Sequence, residues 1–172
     1  MNIKILHDEM TVQSGIKNLA QKLNEEYKGK EIVLIGVLKG AVMFTVDLAK
    51  FLTMPVKMEF IKLSSYGSNT YSSGKVKALD LTLPDLSGKN VIISEDIIDS
   101  GHTAKFLIDY IKHNYHVESL KFCTLLNKKI RREVDVDSDY SVFEVDDLFL
   151  VGYGLDYDGY YRNLPYIGYI EN

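Results

Sequence analysis

Three carboxylates in the run VIISEDIIDSGHT, residues 91–103, are best placed to do chemistry: Glu95, Asp96 and Asp99. They follow an apolar, β-branched stretch and precede a small-residue turn and a helical pattern, so they belong at the carboxyl end of a strand, where open α/β sheets bind ligands. The amides of Asp99 to Thr103 would converge at the helix N-terminus, where unsatisfied donors and the macrodipole suit a phosphate. Gly101 lets the backbone approach the anion, and Ser100 and Thr103 add hydroxyl donors. Neighbouring residues of a regular strand face opposite ways, so Glu95 and Asp96 cannot both chelate one ion unless the strand ends there; otherwise they need hydroxyl groups to accept from. A solvated strand end, with Asp99 as a plain helix cap, is the simpler alternative. Three acids at a ligand edge are costly without a hydroxyl-rich or cationic partner, which favours a site.

The elements that must hold these residues are legible in the hydrophobic pattern. Val12, Ile16, Leu19, Leu23 and Tyr27 recur at helical spacing over 11–28, with Gly29 placed as a helix-ending glycine. IVLIGVL (32–38) is too apolar for a one-sided sheet, and a helical stretch, 41–52, follows it. After Pro55, residues 56–66 predict a strand, 67–75 a polar loop and 76–82 a returning strand, together an arm or lid projecting from the core. NVIISEDII (90–98) predicts another buried strand, and Ala104, Leu107, Ile108, Ile111 and Tyr115 mark one face of the next helix. SLKFCTLLN (119–127) predicts a strand, and short strands are expected in YSVFEV, FLVGYG and YIGYI. The expectation is a single α/β domain over 1–172 with a parallel sheet.

Composition narrows the class. The 172 residues carry a formal net charge of −4, and 46% are hydrophobic, enough for one proper core. The lone Cys123 allows no intrachain disulfide and fits a reducing compartment. The start, MNIKILHDEM, lacks the apolar core of a signal peptide, and no stretch approaches a membrane span, so a cytoplasmic protein is expected. Charge is uneven: residues 1–130 hold 17 basic and 14 acidic side chains, and 131–172 hold 3 and 10. Neither sign forms a block suited to nucleic acid, and the last twenty residues of the acidic tail also carry six of the twelve tyrosines.

The run 91–103 resembles the phosphoribosyl-pyrophosphate (PRPP) motif of the type I phosphoribosyltransferases: hydrophobic residues, two acids, two hydrophobic residues, then Asp, Ser or Thr, Gly and Thr. LKG (38–40), SSYG (64–67), LLNKK (125–129) and FLVGYGLDYDGYYRNLPYIG (149–168) narrow the resemblance to the hypoxanthine-guanine phosphoribosyltransferase family, from about Thr11 to Ile170. It implies a mostly parallel sheet flanked by helices, a small hood and a mobile lid loop. It also implies a Mg²⁺-dependent transfer from PRPP to hypoxanthine and guanine, releasing pyrophosphate and giving IMP or GMP in purine salvage.

The resemblance assigns roles residue by residue. Glu95 and Asp96 would meet the ribose hydroxyls, directly or through Mg²⁺, and Ser100, Gly101, His102 and Thr103 the 5′-phosphate; a backbone contact at His102 would make its ring incidental. Asp99 would act as the base near purine N7. Lys39 and Gly40 would meet pyrophosphate, across a Leu38–Lys39 peptide that can be cis; a lysine at a helix start is the plain alternative, weakened because that end of the dipole disfavours a cation. Lys128, otherwise a surface charge beside Lys129, would donate to the 6-oxo group. Phe149, otherwise a core strand residue, would stack on the purine, with Leu150 beside the base edge. Asp156 would be a further Mg²⁺ ligand, Arg162 a pyrophosphate contact, and Ser65 with Tyr66 the lid. Asn127 and Lys129 depart from the Asp and Pro that bacterial relatives often carry, which leaves the loop conformation after Lys128 open. The resemblance also implies a homodimer or homotetramer, with the Lys39 region near a subunit contact. Two rivals are a xanthine-preferring relative and a non-enzymatic PRPP-sensing regulator; Tyr66, Asp99, Arg162 and the lack of a basic stripe weigh against the regulator.

Overall fold

Apolar runs bounded by glycine, proline and polar residues become strands, and the 3.6-residue repeats between them become helices. The computed structural model describes residues 2–65 and 76–171. In order they form β1 (Asn2–His7), α1 (Glu9–Glu26), β2 (Ile32–Leu38), α2 (Val42–Phe51), β3 (Val56–Ser65), β4 (Val76–Asp80), β5 (Asn90–Ile98), α3 (His102–Asn114), β6 (Ser119–Asn127), β7 (Tyr140–Glu144), β8 (Leu150–Val151) and β9 (Ile167–Glu171), with a 3₁₀ turn at Lys129–Arg131.

The main sheet has the order β4-β3-β2-β5-β6-β7, parallel from β3 to β7, with β4 antiparallel on its edge. Both faces are covered, which is why β2 is almost wholly apolar. Leu34 and Ile92 face a core shared with α1 and α2, built around Ile16, Leu23, Phe44 and Leu48. Val33, Ile35, Val91 and Ile93 face the other way, toward Leu107 and Ile111 of α3. Gly36 lets α2 and β3 close over the sheet, since a Cβ there would come within 2.8 Å of both Thr45 and Phe60.

Helix α1 begins two residues before the expected span because Asp8 caps it, accepting from the Thr11 amide at 2.8 Å. It ends at Glu26 with Tyr27 as cap, and Gly29 (φ 74°) serves the turn beyond rather than the cap itself. The N-terminal residues, for which no element was expected, form β1. It pairs antiparallel with β9, and β8 adds a third strand to this separate small sheet. Only Leu150–Val151 of the expected FLVGYG strand is extended, because two tight turns follow. In Gly152–Leu155 and again in Tyr157–Tyr160 the central residues have positive φ: Tyr153 48° with Gly154 101°, and Asp158 50° with Gly159 82°. This is the backbone twist of a type I′ turn, and Asp-Gly is a favoured pair for it.

Candidate active site

Because β2, β5 and β6 are parallel, their carboxyl ends open on one edge of the sheet. Leu38-Lys39-Gly40 leaves β2 there, Asp99 to Thr103 leaves β5, and Lys128 leaves β6. The turns between β8 and β9 reach the same edge, where Gly154 packs on Gly40. The Leu38–Lys39 peptide is cis, and Lys39 is exposed.

The β5 exit forms a loop with open donors. Gly101 is the N-cap of α3 at φ 92°, with no side chain capping the helix. Glu95, Asp99, Ser100, Gly101 and Thr103 line a cavity of about 100 Å³ at this point. The His102 ring does not line it and turns to the Glu133 carboxylate at 2.7 Å. Such a donor-rich hollow suits a phosphate-sized anion.

Glu95 and Asp96 diverge, as a regular strand requires. Glu95 is buried in the wall of the phosphate-sized cavity, and its Oε2 has no hydrogen-bond partner. Burial, with the Asp96 charge beside it, raises its pKa well above the ordinary value. Asp96 faces Gly40, where a Cβ would overlap its carboxylate, and accepts from the Ile97 amide at 2.9 Å. Burial pushes Asp96 up to about 6, against the pull of backbone amides and the Arg162 charge. Both acids are therefore held where hydroxyl donors or a cation would relieve them.

Asp99 stands at a junction. It lines the small cavity and also a second one of about 450 Å³, whose wall includes Lys128, Arg131, Asp147, Phe149 and Leu150. Asp99 Oδ1 is buried without a partner. Lys128 is 5% exposed rather than a surface charge, and its ammonium donates to the Leu148 carbonyl at 2.8 Å with Asp147 at 3.8 Å. Phe149 is 54% exposed, so it is not a core strand residue; it meets Tyr157 edge-on at 5.6 Å. Leu150 is buried in β8.

Arg162 and Asp156 are locked together on the Gly40 side. The guanidinium donates to the Gly154 carbonyl at 2.5 Å and pairs with Asp156 at 2.7 Å, while the other Asp156 oxygen accepts from the Gly159 amide at 2.8 Å. Among the described residues no three His, Cys, Asp or Glu side chains form a group able to hold a metal by themselves. The donor set nevertheless fits Mg²⁺, which keeps several waters and binds one or two carboxylates together with substrate phosphates: the unpartnered Glu95 oxygen on one side of β5, or the Asp96 carboxylate beside Gly40 on the other, would each supply one. Ser65 ends β3, and Tyr66 lies outside the described residues.

A strand edge with a helix-start anion loop beside paired acids is the arrangement the sequence motif implied, and the phosphoribosyl transferase domain model matches residues 2–158. The chain belongs to the phosphoribosyltransferase family. A hypoxanthine-guanine phosphoribosyltransferase of Bacillus subtilis is 43% identical over 168 residues, covering 98% of this chain and 93% of that protein. A crystal structure of a hypoxanthine-guanine phosphoribosyltransferase from Bacillus anthracis superposes with a TM-score of 0.93 at 44% identity, covering 99% of this chain and all of that one. The bifunctional protein TilS/HprT of Listeria monocytogenes is 44% identical over 168 residues, and there the match spans only 26% of the relative.

For a phosphoribosyltransferase the site holds side chains that sequence reasoning missed. Arg132 donates to the Asp99 carbonyl, and Tyr153 and Gln13 both donate to Asp47 at the foot of the Gly154 turn. Arg131 and Asp147, paired at 2.6 Å, line the larger cavity. The Gly-Tyr-Gly of 152–154 was the available signal for the turn; nothing separates Arg131 from Arg132 in sequence alone.

Proposed function

We propose that this phosphoribosyltransferase transfers the phosphoribosyl group of PRPP to N9 of hypoxanthine or guanine, releasing pyrophosphate and serving purine salvage. The observation that carries this is Asp99, shared by a helix-start anion cavity and a cavity walled by Lys128 and Phe149. A carboxylate there lies between the place for a 5′-phosphate and the place for a flat base with an acceptor oxygen.

The geometry supports the roles that the family resemblance implies. Amides and hydroxyls of Ser100 to Thr103 bind the 5′-phosphate, and Glu95 with Asp96 accepts from the ribose hydroxyls. Phe149 offers a face for stacking, Lys128 donates to the 6-oxo group, and the Leu150 backbone meets the base edge. Asp99 takes or shares the N7 proton as N9 closes on C1 of the ribose and the bond to pyrophosphate breaks. The anomeric carbon becomes cationic in passing, as in glycosyl displacements, and the surrounding carboxylates suit that charge. Gly40, Lys39 and Arg162 hold the pyrophosphate; an arginine fork matches it well. Mg²⁺ would be held together with substrate oxygens, at the ribose hydroxyls by Glu95 or Asp96 and at the pyrophosphate by Asp156, and would neutralise the leaving group's charge. Ser65 and Tyr66 would close the site against water.

Exposed Met43, Val46, Met58 and Phe60 on α2 and β3 support assembly into a homodimer or homotetramer through this face, beside Lys39. No described helix is long and apolar enough to cross a membrane, and a cytoplasmic setting fits the buried, unpaired Cys123.

The test is pyrophosphate release from PRPP with hypoxanthine, guanine, xanthine or adenine. Hypoxanthine and guanine are expected to be turned over well and adenine hardly at all. Xanthine as the best substrate would favour the xanthine-preferring rival, and no release with any purine would favour a PRPP sensor.

A further inference from the structure

We propose that Arg132 is a positioning residue which fixes the distance between the base at Asp99 and the oxo-recognising Lys128. The proposal rests on the assignment of those two residues to opposite sides of one purine. The Arg132 guanidinium uses its fork on three segments at once. Nε donates to the Asp99 carbonyl at 3.2 Å, Nη2 to Asn127 Oδ1 at 2.6 Å, and Nη1 to the Val136 carbonyl. Asn127 is the residue directly before Lys128. One side chain, 14% exposed, thus joins the turn that carries the carboxylate to the strand end that carries the ammonium.

The surroundings make this link stiff. Asn127 is 2% exposed, and its amide donates to Asp137 at 2.8 Å and Glu144 at 3.3 Å, both of which also face Lys129. The backbone repeats the connection, Lys128 donating to the Ile98 carbonyl at 3.0 Å and Glu133 to the Ser100 carbonyl at 2.9 Å. The Arg132 stem packs where a side chain on Gly101 would sit, its Cδ 2.8 Å from that Cβ position. Stem and head therefore have separable duties: the stem supports the phosphate loop, and the fork sets the Asp99 to Lys128 spacing.

Arg132→Lys separates them, because lysine keeps the stem and the charge but cannot reach three acceptors in one plane. The expected result is a fall in kcat of roughly 30-fold or more and a rise in KM for hypoxanthine of about 10-fold, with KM for PRPP within about threefold, since a misplacement near 1 Å can cost ~10²-fold. Asn127→Ala removes one acceptor and should shift the same two parameters by a smaller factor, and the double variant should be little worse than Arg132→Lys alone. Thermal melting of each variant gives the folded fraction to which rates are normalised. Normal kcat and hypoxanthine KM in folded Arg132→Lys would overturn the proposal, as would equal loss in both KM values or full additivity with Asn127→Ala. Absence of pyrophosphate release by the wild-type chain would overturn the underlying assignment and this inference with it.

Discussion

Gly154 packs so closely on Gly40 that a Cβ on Gly154 would overlap the Gly40 carbonyl oxygen and stand 3.8 Å from the Gly40 Cα. Gly40 in turn has no room for a Cβ beside Asp96. The proposed pyrophosphate loop is thus pressed between the ribose-side acid and the turn that carries Asp156 and Arg162, and it depends on two missing methyl groups.

Gly154→Ala should consequently damage PRPP use more than folding. The new methyl meets backbone, which cannot swing aside, and φ of 101° adds strain. Displacing the loop by about 1 Å predicts a loss near 10²-fold in kcat/KM for PRPP. Gly88→Ala is the control, with φ 70° and open space around it: it should lose stability through strain and keep its kinetics. Similar kinetics in the two variants would show that the Gly40 contact is unimportant.

Asp47 ties the same turn to α1 and α2. Its Oδ2 accepts from Gln13 at 2.9 Å and from the Tyr153 hydroxyl, and Oδ1 pairs with Lys50 at 2.9 Å. Burial pulls its pKa upward, but the hydrogen bonds from Lys50, Tyr153 and Gln13 outweigh this and hold it below the ordinary aspartate value. An acid depressed in the folded state stabilises fully above its unfolded pKa, and that stabilisation is lost as pH falls through the folded pKa. Urea midpoints between pH 7 and pH 3 should therefore fall less steeply for Asp47→Asn than for wild type. Tyr153→Phe should cost ~1 to 3 kcal/mol at neutral pH by leaving part of the carboxylate unpartnered. Parallel pH profiles for wild type and Asp47→Asn would contradict the assignment.

Phe149, the proposed stacking residue, should separate binding from stability. A side chain 54% exposed contributes little to the core, so Phe149→Ala should shift the urea midpoint by no more than a surface substitution does, about 0.5 kcal/mol. Loss of a stacking face is worth ~1 to 3 kcal/mol per base, which predicts a rise in KM for hypoxanthine of roughly 5- to 100-fold. A large stability loss with unchanged KM would return Phe149 to a packing role.

What was legible in the chain follows where burial is decisive. β2, β5 and β6 have the expected bounds because a sheet covered on both faces needs uninterrupted apolar residues. The acids and the Gly101 turn were legible for a similar reason, since their position at a strand end is set locally. β1 was not: it pairs with β9 at the far end of the chain, and its burial is irregular because it lies on the edge of a small sheet. Lys128 and Lys129 look alike in sequence, as do Arg131 and Arg132, and only the 3₁₀ turn after β6 decides which side chain is buried. Asp47 and Tyr153 meet across 106 positions, a distance over which no spacing rule operates.

Lys128 should govern base choice. Its ammonium is buried and has one carbonyl acceptor, so a 6-oxo group completes its bonding while a 6-amino group leaves it short. Lys128→Gln offers an amide that can donate or accept. It predicts a loss of about 10- to 100-fold in kcat/KM for hypoxanthine, as a charge-assisted bond of ~1.5 to 3 kcal/mol implies, and a smaller change for adenine. Competition assays with the two bases would measure the ratio. An unchanged ratio would place recognition elsewhere, with Arg131 and Asp147 on the same cavity wall the next residues to test.

The proposed chemical step rests on Asp99, and Asn is the informative replacement because it keeps the shape and removes the proposed proton acceptor. The small cavity that Asp99 lines is proposed to hold phosphate mainly through backbone amides of Ser100 to Thr103, so PRPP affinity measured by calorimetry should stay within a few-fold of wild type. Turnover should fall by ~10² or more if a general base is lost. Asp99 Oδ1 has no internal partner to rearrange, and Arg132 holds only the main-chain carbonyl, so Asp99→Asn should not disturb the link to Lys128. The KM for hypoxanthine is then expected to change far less than kcat. A variant that binds PRPP normally and turns over at the wild-type rate would remove proton transfer from Asp99.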